Sequence, residues 1–275
     1  MSPAGYRPWR LIARLARRRR SAILAYHGVE RMAPGDDPEL LCIDPDRFEL
    51  HMRLLAEAGY EFVTVREFVE RSPAAGLIAI SFDDGLANLR SVALPILQRY
   101  GIPATVYVTT GLIGEPYPWM PESSGVRVMD AADIAALAQA GIEIGAHTVR
   151  HRDLSRCSYE EALAEMTDSR ETLERLTERE VATFAYPYAR FSDLAERAAR
   201  DAGFTAAVSY SMLATPGDRF ALSRELVTPQ HGPASVVLKV LGRYDSLSNS
   251  LAGRVGRLLT RPLRRRPKAP LRPRV

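Results

Sequence analysis

Two adjacent carboxylates, Asp83 and Asp84, follow the apolar run Leu77-Ile78-Ala79-Ile80 in the stretch SFDDG. Neighbouring residues on an extended chain point in opposite directions, so the pair cannot serve as one solvated patch, and each acid is expected to have its own task. Further on, HTVRH places His147 and His151 four positions apart. That spacing aims two imidazoles at one point if the strand rolls into a helical turn, although H-x-x-x-H alone more often marks a pair of surface histidines. No Glu follows His147, which excludes the helical zinc-protease motif H-E-x-x-H. Two histidines and one carboxylate make a facial set with positions left for water and substrate, as a catalytic divalent metal needs. One of Asp83 and Asp84 would complete that set, and the other would be free to act as a base.

Such groups need elements that position them. Asp44-Pro45 opens a helix with Phe48, Met52 and Leu55 on one stripe, and Gly59 closes it. Thr64 with Glu67, and Ser158 with Glu161, read as capping boxes. Ser192 opens a helix that stops at Gly203, and Gly101 and Gly141 follow the last turns of two more. Between these stops lie β-rich runs at residues 22–26, 61–65, 78–82, 104–108, 142–146, 182–185 and 205–209, with a weaker one near 221–227. Strands alternating with short helices imply parallel pairing through right-handed crossovers. The expected fold class is therefore α/β, a distorted (β/α) barrel of seven or eight units spanning residues 21–245. In such a barrel catalytic groups come from the C-terminal strand ends. Those ends read YHGV, FDDG, TTG, AHTVRH, YPYAR and TPQH, and they hold His27, His147, His151 and His231, four of the five histidines. The fifth, His51, lies beside Phe48, Met52 and Leu55 and reads as packing.

SFDDG, HTVRH and YPY, in this order and spacing, resemble the first three motifs of the NodB-type polysaccharide deacetylases, carbohydrate esterase family 4. The likeness covers roughly residues 22–232, and YHGV with FAYPY resembles the poly-N-acetylglucosamine deacetylase branch. The resemblance implies Asp83 as general base and Asp84, His147 and His151 as ligands of a divalent metal, zinc being the first expectation. It also implies that the backbone N–H of Tyr188 stabilises the oxyanion. The match departs in two places. Many members carry R-x-P-Y, but Ala185 holds the Arg position; Arg190 or Arg224 would have to reach the site instead, and each reads more readily as a surface arginine. The late L-x-H motif survives only as Pro229-Gln230-His231, so His231 is the expected general acid on a loose match. His27, Tyr186 and Pro187 are further site-lining candidates, with packing or backbone shaping as the alternative for the last two.

At 275 residues and 46% hydrophobic, the chain can bury a sizeable core. Cys42 and Cys157 form no C-x-x-C and read as ordinary thiols. The net charge of +4 conceals a division: residues 1–20 carry +7 and residues 251–275 carry +9, leaving −12 between them. Basic ends of this kind suit an anionic membrane surface or another polyanion, and residues 9–20 and 247–266 mix leucine with arginine as interfacial segments do. No run reaches membrane-span length, and the arginines of the N-terminal stretch interrupt any signal-peptide core. The expectation is a cytoplasmic protein, peripheral at the inner membrane face, that removes an acetyl or other acyl group from an amino-sugar glycan or lipid-linked sugar; export through an uncleaved anchor stays open. The alternatives are an amidase for a small non-sugar C–N bond and a carbohydrate- or polyanion-binding protein without turnover. Nucleic-acid binding would rest on the tails alone and ranks last.

Overall fold

The computed structural model describes residues 20–33, 35–72, 74–210 and 218–244. Apart from Arg20, both basic end segments, with their expected interfacial stretches, lie outside the described residues. Along the chain come β1 (Ala22–Tyr26), β2 (Gly28–Val29), β3 (Cys42–Ile43), α1 (Pro45–Glu57), β4 (Glu61–Val63), α2 (Val65–Glu70) and β5 (Leu77–Phe82). A π-turn at Leu89–Ala93 then runs into α3 (Leu94–Arg99), followed by β6 (Ala104–Val108), α4 (Ala131–Gln139), β7 (Glu143–Ala146) and α5 (Tyr159–Thr177). The remainder is β8 (Thr183–Ala185), α6 (Asp193–Asp201), β9 (Ala206–Tyr210), β10 (Leu222–Leu226) and α7 (Pro233–Val240).

Seven strands close a parallel barrel in the order β1, β10, β9, β8, β7, β6, β5, with β5 returning to β1 from Ile78 opposite Ala22 to Phe82 opposite Tyr26. The eighth, β4, pairs with the first half of β5, where Glu61 faces Leu77, while β6 takes the second half from Ile80 onward. The expected barrel is thus a ring of seven with one strand beside it. The two-residue pair β2–β3, which no sequence pattern announced, lies just past the end of β1.

Local chemistry explains where elements stop. The run expected as a strand to residue 65 ends at Val63, because the Thr64 hydroxyl accepts from the Glu67 N–H (3.2 Å) while the Glu67 carboxylate accepts from the Thr64 N–H (2.9 Å). That reciprocal cap starts α2 at Val65 and overrides the β-branched run. The same device opens α5 at Ser158 and Glu161. The π-turn precedes Pro95, which has no N–H for a regular helical bond to residue 91 and crowds that carbonyl.

Alternation along each strand separates two apolar layers. Ile78, Ile80 and Phe82 of β5 join the core beneath the helices, whereas Leu77 and Ala79 point inward with Ile23, Tyr107, Ala185 and Val208. The interior is not purely apolar, since buried Ser81, Thr105, Thr183 and Arg224 share it. Room for Tyr107 comes from Gly145, where a Cβ would lie 2.4 Å from the Tyr107 ring.

Candidate active site

Asp84, His147 and His151 converge at the C-terminal mouth of the barrel. All three are buried, and the nearest His147 and His151 Nε2 atoms lie 3.4 and 3.3 Å from the same oxygen, Asp84 Oδ1. Asp84 lies two residues past the end of β5, in a turn with φ 69°, and its carboxylate meets different partners from that of Asp83. Asp83 still extends the β5–β1 ladder through its N–H to Tyr26 O at 2.9 Å, and the left-handed turn begins only at Asp84. The histidines likewise meet without the helical turn expected between them: Thr148 (φ 65°) and His151 (φ 53°) both adopt the left-handed conformation. Left-handed backbone is costly for such residues and persists where its surroundings over-determine it.

His147 Nδ1 lies 2.7 Å from the Ala185 carbonyl, which can only accept, so the ring hydrogen resides there and the neutral ring turns a lone pair at Nε2 toward Asp84. Asp84 Oδ1 is itself buried with no hydrogen-bond partner among the described residues. Electron-rich atoms facing one another in a buried site call for a proton on a ring or a cation among them. Burial lowers the proton affinity of His147, yet Asp84 and Asp83 more than restore it, and its pKa lies above the ordinary histidine value. The donor set therefore fits a divalent cation. Asp84's other oxygen accepts a hydrogen bond from the Tyr117 hydroxyl, a partner that no motif announced.

Asp83 belongs to a different network. Arg224 grips it with both terminal nitrogens, Nη1 to Oδ1 at 2.6 Å and Nη2 to Oδ2 at 2.8 Å, and Tyr210 donates to Oδ2 at 2.9 Å. Burial would raise this carboxyl, but the Arg224 charge and hydrogen bonds hold it below the ordinary carboxylate range. The surface-arginine reading of Arg224 is thereby corrected: it is 1% exposed, at the centre of β10, with its guanidinium 5.1 and 5.4 Å from the rings of Tyr210 and Tyr107. Arg190, in contrast, is a surface residue that pairs with Asp153 at 3.2 Å.

The YPY stretch forms a short 3-10 turn, Pro187–Ala189, with Tyr188 at φ 56°. Tyr188 is 49% exposed and sets its ring edge-on to His151, with centroids 4.5 Å apart. Its N–H finds no acceptor among the described residues. Trp119 packs on His151 as well (4.5 Å), giving that ring an aromatic surround. Tyr186 does not line the mouth: it is 1% exposed and stacks on Phe191, while buried Pro187 shapes the turn. His27 lies close enough to Asp83 and Asp84 for a charge on its ring to act on both. His231 accepts at Nδ1 from the Thr228 N–H (2.9 Å) and packs against Tyr244; no described contact joins it to the Asp83–Asp84 cluster. His51 is fully buried against Tyr26, as packing requires.

A parallel β/α barrel with a carboxylate and two histidines at its C-terminal mouth, beside an arginine-held second carboxylate, defines a hydrolase-type site. The chain belongs to the polysaccharide deacetylase family, whose model matches residues 70–207. YxkH of Bacillus subtilis (strain 168), named for the same family, is 27% identical over 75% of this chain and 71% of its own length. A poly-beta-1,6-N-acetyl-D-glucosamine N-deacetylase of Staphylococcus aureus is 24% identical, the match covering 55% of each chain. Among solved structures, the Streptococcus pyogenes deacetylase PplD in complex with acetate superposes with a TM-score of 0.69 at 25% identity, covering 81% of this chain and 98% of its own. IcaB from Ammonifex degensii shares the fold with a TM-score of 0.68 at 21% identity, covering 82% and 97%.

Proposed function

We propose that the protein is a metal-dependent hydrolase that removes an N-acetyl group from an amino sugar in a glycan or glycan intermediate. The observation that carries this reading is the unpaired Asp84 Oδ1 facing the His147 and His151 nitrogens, with the Arg224-held Asp83 alongside. Asp84, His147 and His151 would hold the ion, with zinc as the first choice and cobalt, nickel or manganese compatible with the same ligands. A bound divalent ion supplies Lewis acidity toward water and the acyl carbonyl. Asp83, kept ionised by Arg224, takes the proton of the attacking water, and Tyr210 and Arg224 hold the carboxylate in one orientation for that transfer. The Tyr188 N–H donates to the developing oxyanion. His231 remains the proposed donor to the leaving amine, on sequence grounds alone.

The binding-protein alternative draws on the missing motif arginine and the loose late motif, and Arg224 on Asp83 answers the first of these. The test is acetate release from N-acetylglucosamine oligomers and O-acetylated sugars by metal-loaded protein. Release from an N-acetylated oligomer that Asp83→Asn abolishes is expected; a loaded wild type that releases nothing from any sugar overturns the reading. The same panel run with His231→Ala tests the donor role, which fails if the rate is unchanged.

The charge division supports a second proposal, that the basic ends dock the acidic body on the anionic inner membrane face, where a lipid-linked sugar would be presented. Among the described residues no helix is long and apolar enough to cross a membrane. Flotation with anionic vesicles, ends intact and deleted, is expected to give end-dependent binding, and its absence would sink the idea.

A further inference from the structure

Glu165 is a buried carboxylate that the proposed reaction does not use. It sits within α5 at 4% exposure and is directed at the loop between the two histidines. Its Oε2 accepts from the Val149 N–H at 2.9 Å and the Arg150 N–H at 2.8 Å, while Arg150 Nη1 approaches Oε1 at 3.4 Å. The loop carbonyls are held from the opposite side. The Thr110 N–H donates to Thr148 O at 3.1 Å, and the Gly111 N–H donates to Val149 O at 2.8 Å. Gly111 is needed for that approach, since a Cβ there would lie 2.5 Å from Val149 O. The three residues connecting His147 to His151, with left-handed φ at Thr148 and at His151 itself, are thus clamped from both sides.

We infer that Glu165 is a positioning residue for the metal site: it fixes the left-handed turn that brings His151 onto the same Asp84 oxygen as His147. The inference rests on the metal reading of that site. Two backbone donors on one buried carboxylate oxygen form a charge-assisted grip. Without it, the Val149 and Arg150 N–H groups would lose their shared acceptor, and a turn of ordinary right-handed residues would carry the His151 ring off the Asp84 oxygen. Groups outside the ligand shell that orient a ligand typically contribute about 10- to 100-fold in metal affinity.

Co(II) titration of the full chain, read by its visible absorption, tests this. Wild type is expected to bind and Asp84→Asn to fail; absence of wild-type binding would overturn the metal reading itself. Glu165→Ala is expected to weaken Co(II) binding about 10-fold or more and to alter the spectrum, with Glu165→Gln, whose amide oxygen can still accept, restoring most of the affinity. A purely structural Glu165 would lower the melting temperature and leave the Co(II) affinity within about twofold of wild type with the same spectrum, and that result overturns the inference. A measurement on the metal-free wild type needs no folded variant and no metal binding. The Val149 and Arg150 amides should exchange with deuterium far more slowly than exposed loop amides, and exchange at the open-loop rate would also overturn it.

Discussion

Asp83 and Asp84 are chemically identical neighbours made different by what surrounds them. One faces a guanidinium and a phenol, the other two imidazoles and a second phenol. The two replacements should therefore separate: Asp84→Asn loses metal binding, whereas Asp83→Asn retains it and loses about 100-fold or more in turnover, as metal titration and acetate release would record. Arg224 ties Asp83 inside the barrel, and removing one partner of a buried pair strands the other charge. Arg224→Ala should cost about 3 to 5 kcal/mol in denaturant unfolding. Because the folded-state Asp83 carboxyl is held low, the pair's contribution is present above the unfolded carboxylate value, about 3.9, and is lost as the pH falls below that value through the lower folded-state one. His51 acts at milder acidity. Burial pushes its pKa down to about 3, against about 6.5 in the unfolded chain. Between those values the unfolded state binds more protons, so stability falls with acidification. His51 alone should cost about 2 kcal/mol between pH 7 and pH 5, and urea unfolding of His51→Gln should show a correspondingly shallower pH dependence.

Among elements, β7 and the turn after it bring the site's demands onto a few residues. Gly145 leaves space for the Tyr107 ring, which lies beneath the Arg224 guanidinium. Gly145→Ala should destabilise the barrel by about 1 to 3 kcal/mol, seen as a lower denaturant midpoint with an unchanged slope. At the start of α2, loss of the Thr64 cap in Thr64→Ala should cost about 1 kcal/mol with no effect on metal binding. These two variants separate an interior strain that reaches the site from a surface cap that does not.

At the scale of the molecule, closure joins β10 and β5 to opposite edges of β1, so that Arg224 from near the chain's end reaches Asp83. Asp84 comes from the turn after β5 and the two histidines from the segment after β7, and an ion held between them would bind only the closed barrel. Free metal at 100 times its dissociation constant should add about 2.7 kcal/mol, and a chelator should lower the melting temperature of loaded protein by several degrees while leaving Asp84→Asn unmoved.

The sequence by itself was enough to locate the family's motifs and the strand–helix units that carry them. SFDDG, HTVRH and YPY are contiguous, and helix caps such as Thr64 with Glu67 are local interactions between residues three apart, so both are legible along one dimension. Arg224 was not legible, because a lone arginine in LSREL acquires meaning only when β10 pairs with β1 and turns that side chain inward. Tyr117 and Glu165 are distant in sequence from Asp84 and from the His147–His151 loop that they respectively contact, and Tyr186, expected as a site-lining candidate, points instead into the core. Even the turn that aims His151 is left-handed where spacing suggested a helix. Contacts between distant segments, and backbone conformations held only by those contacts, are decided when the barrel closes, since no local preference along the chain selects them.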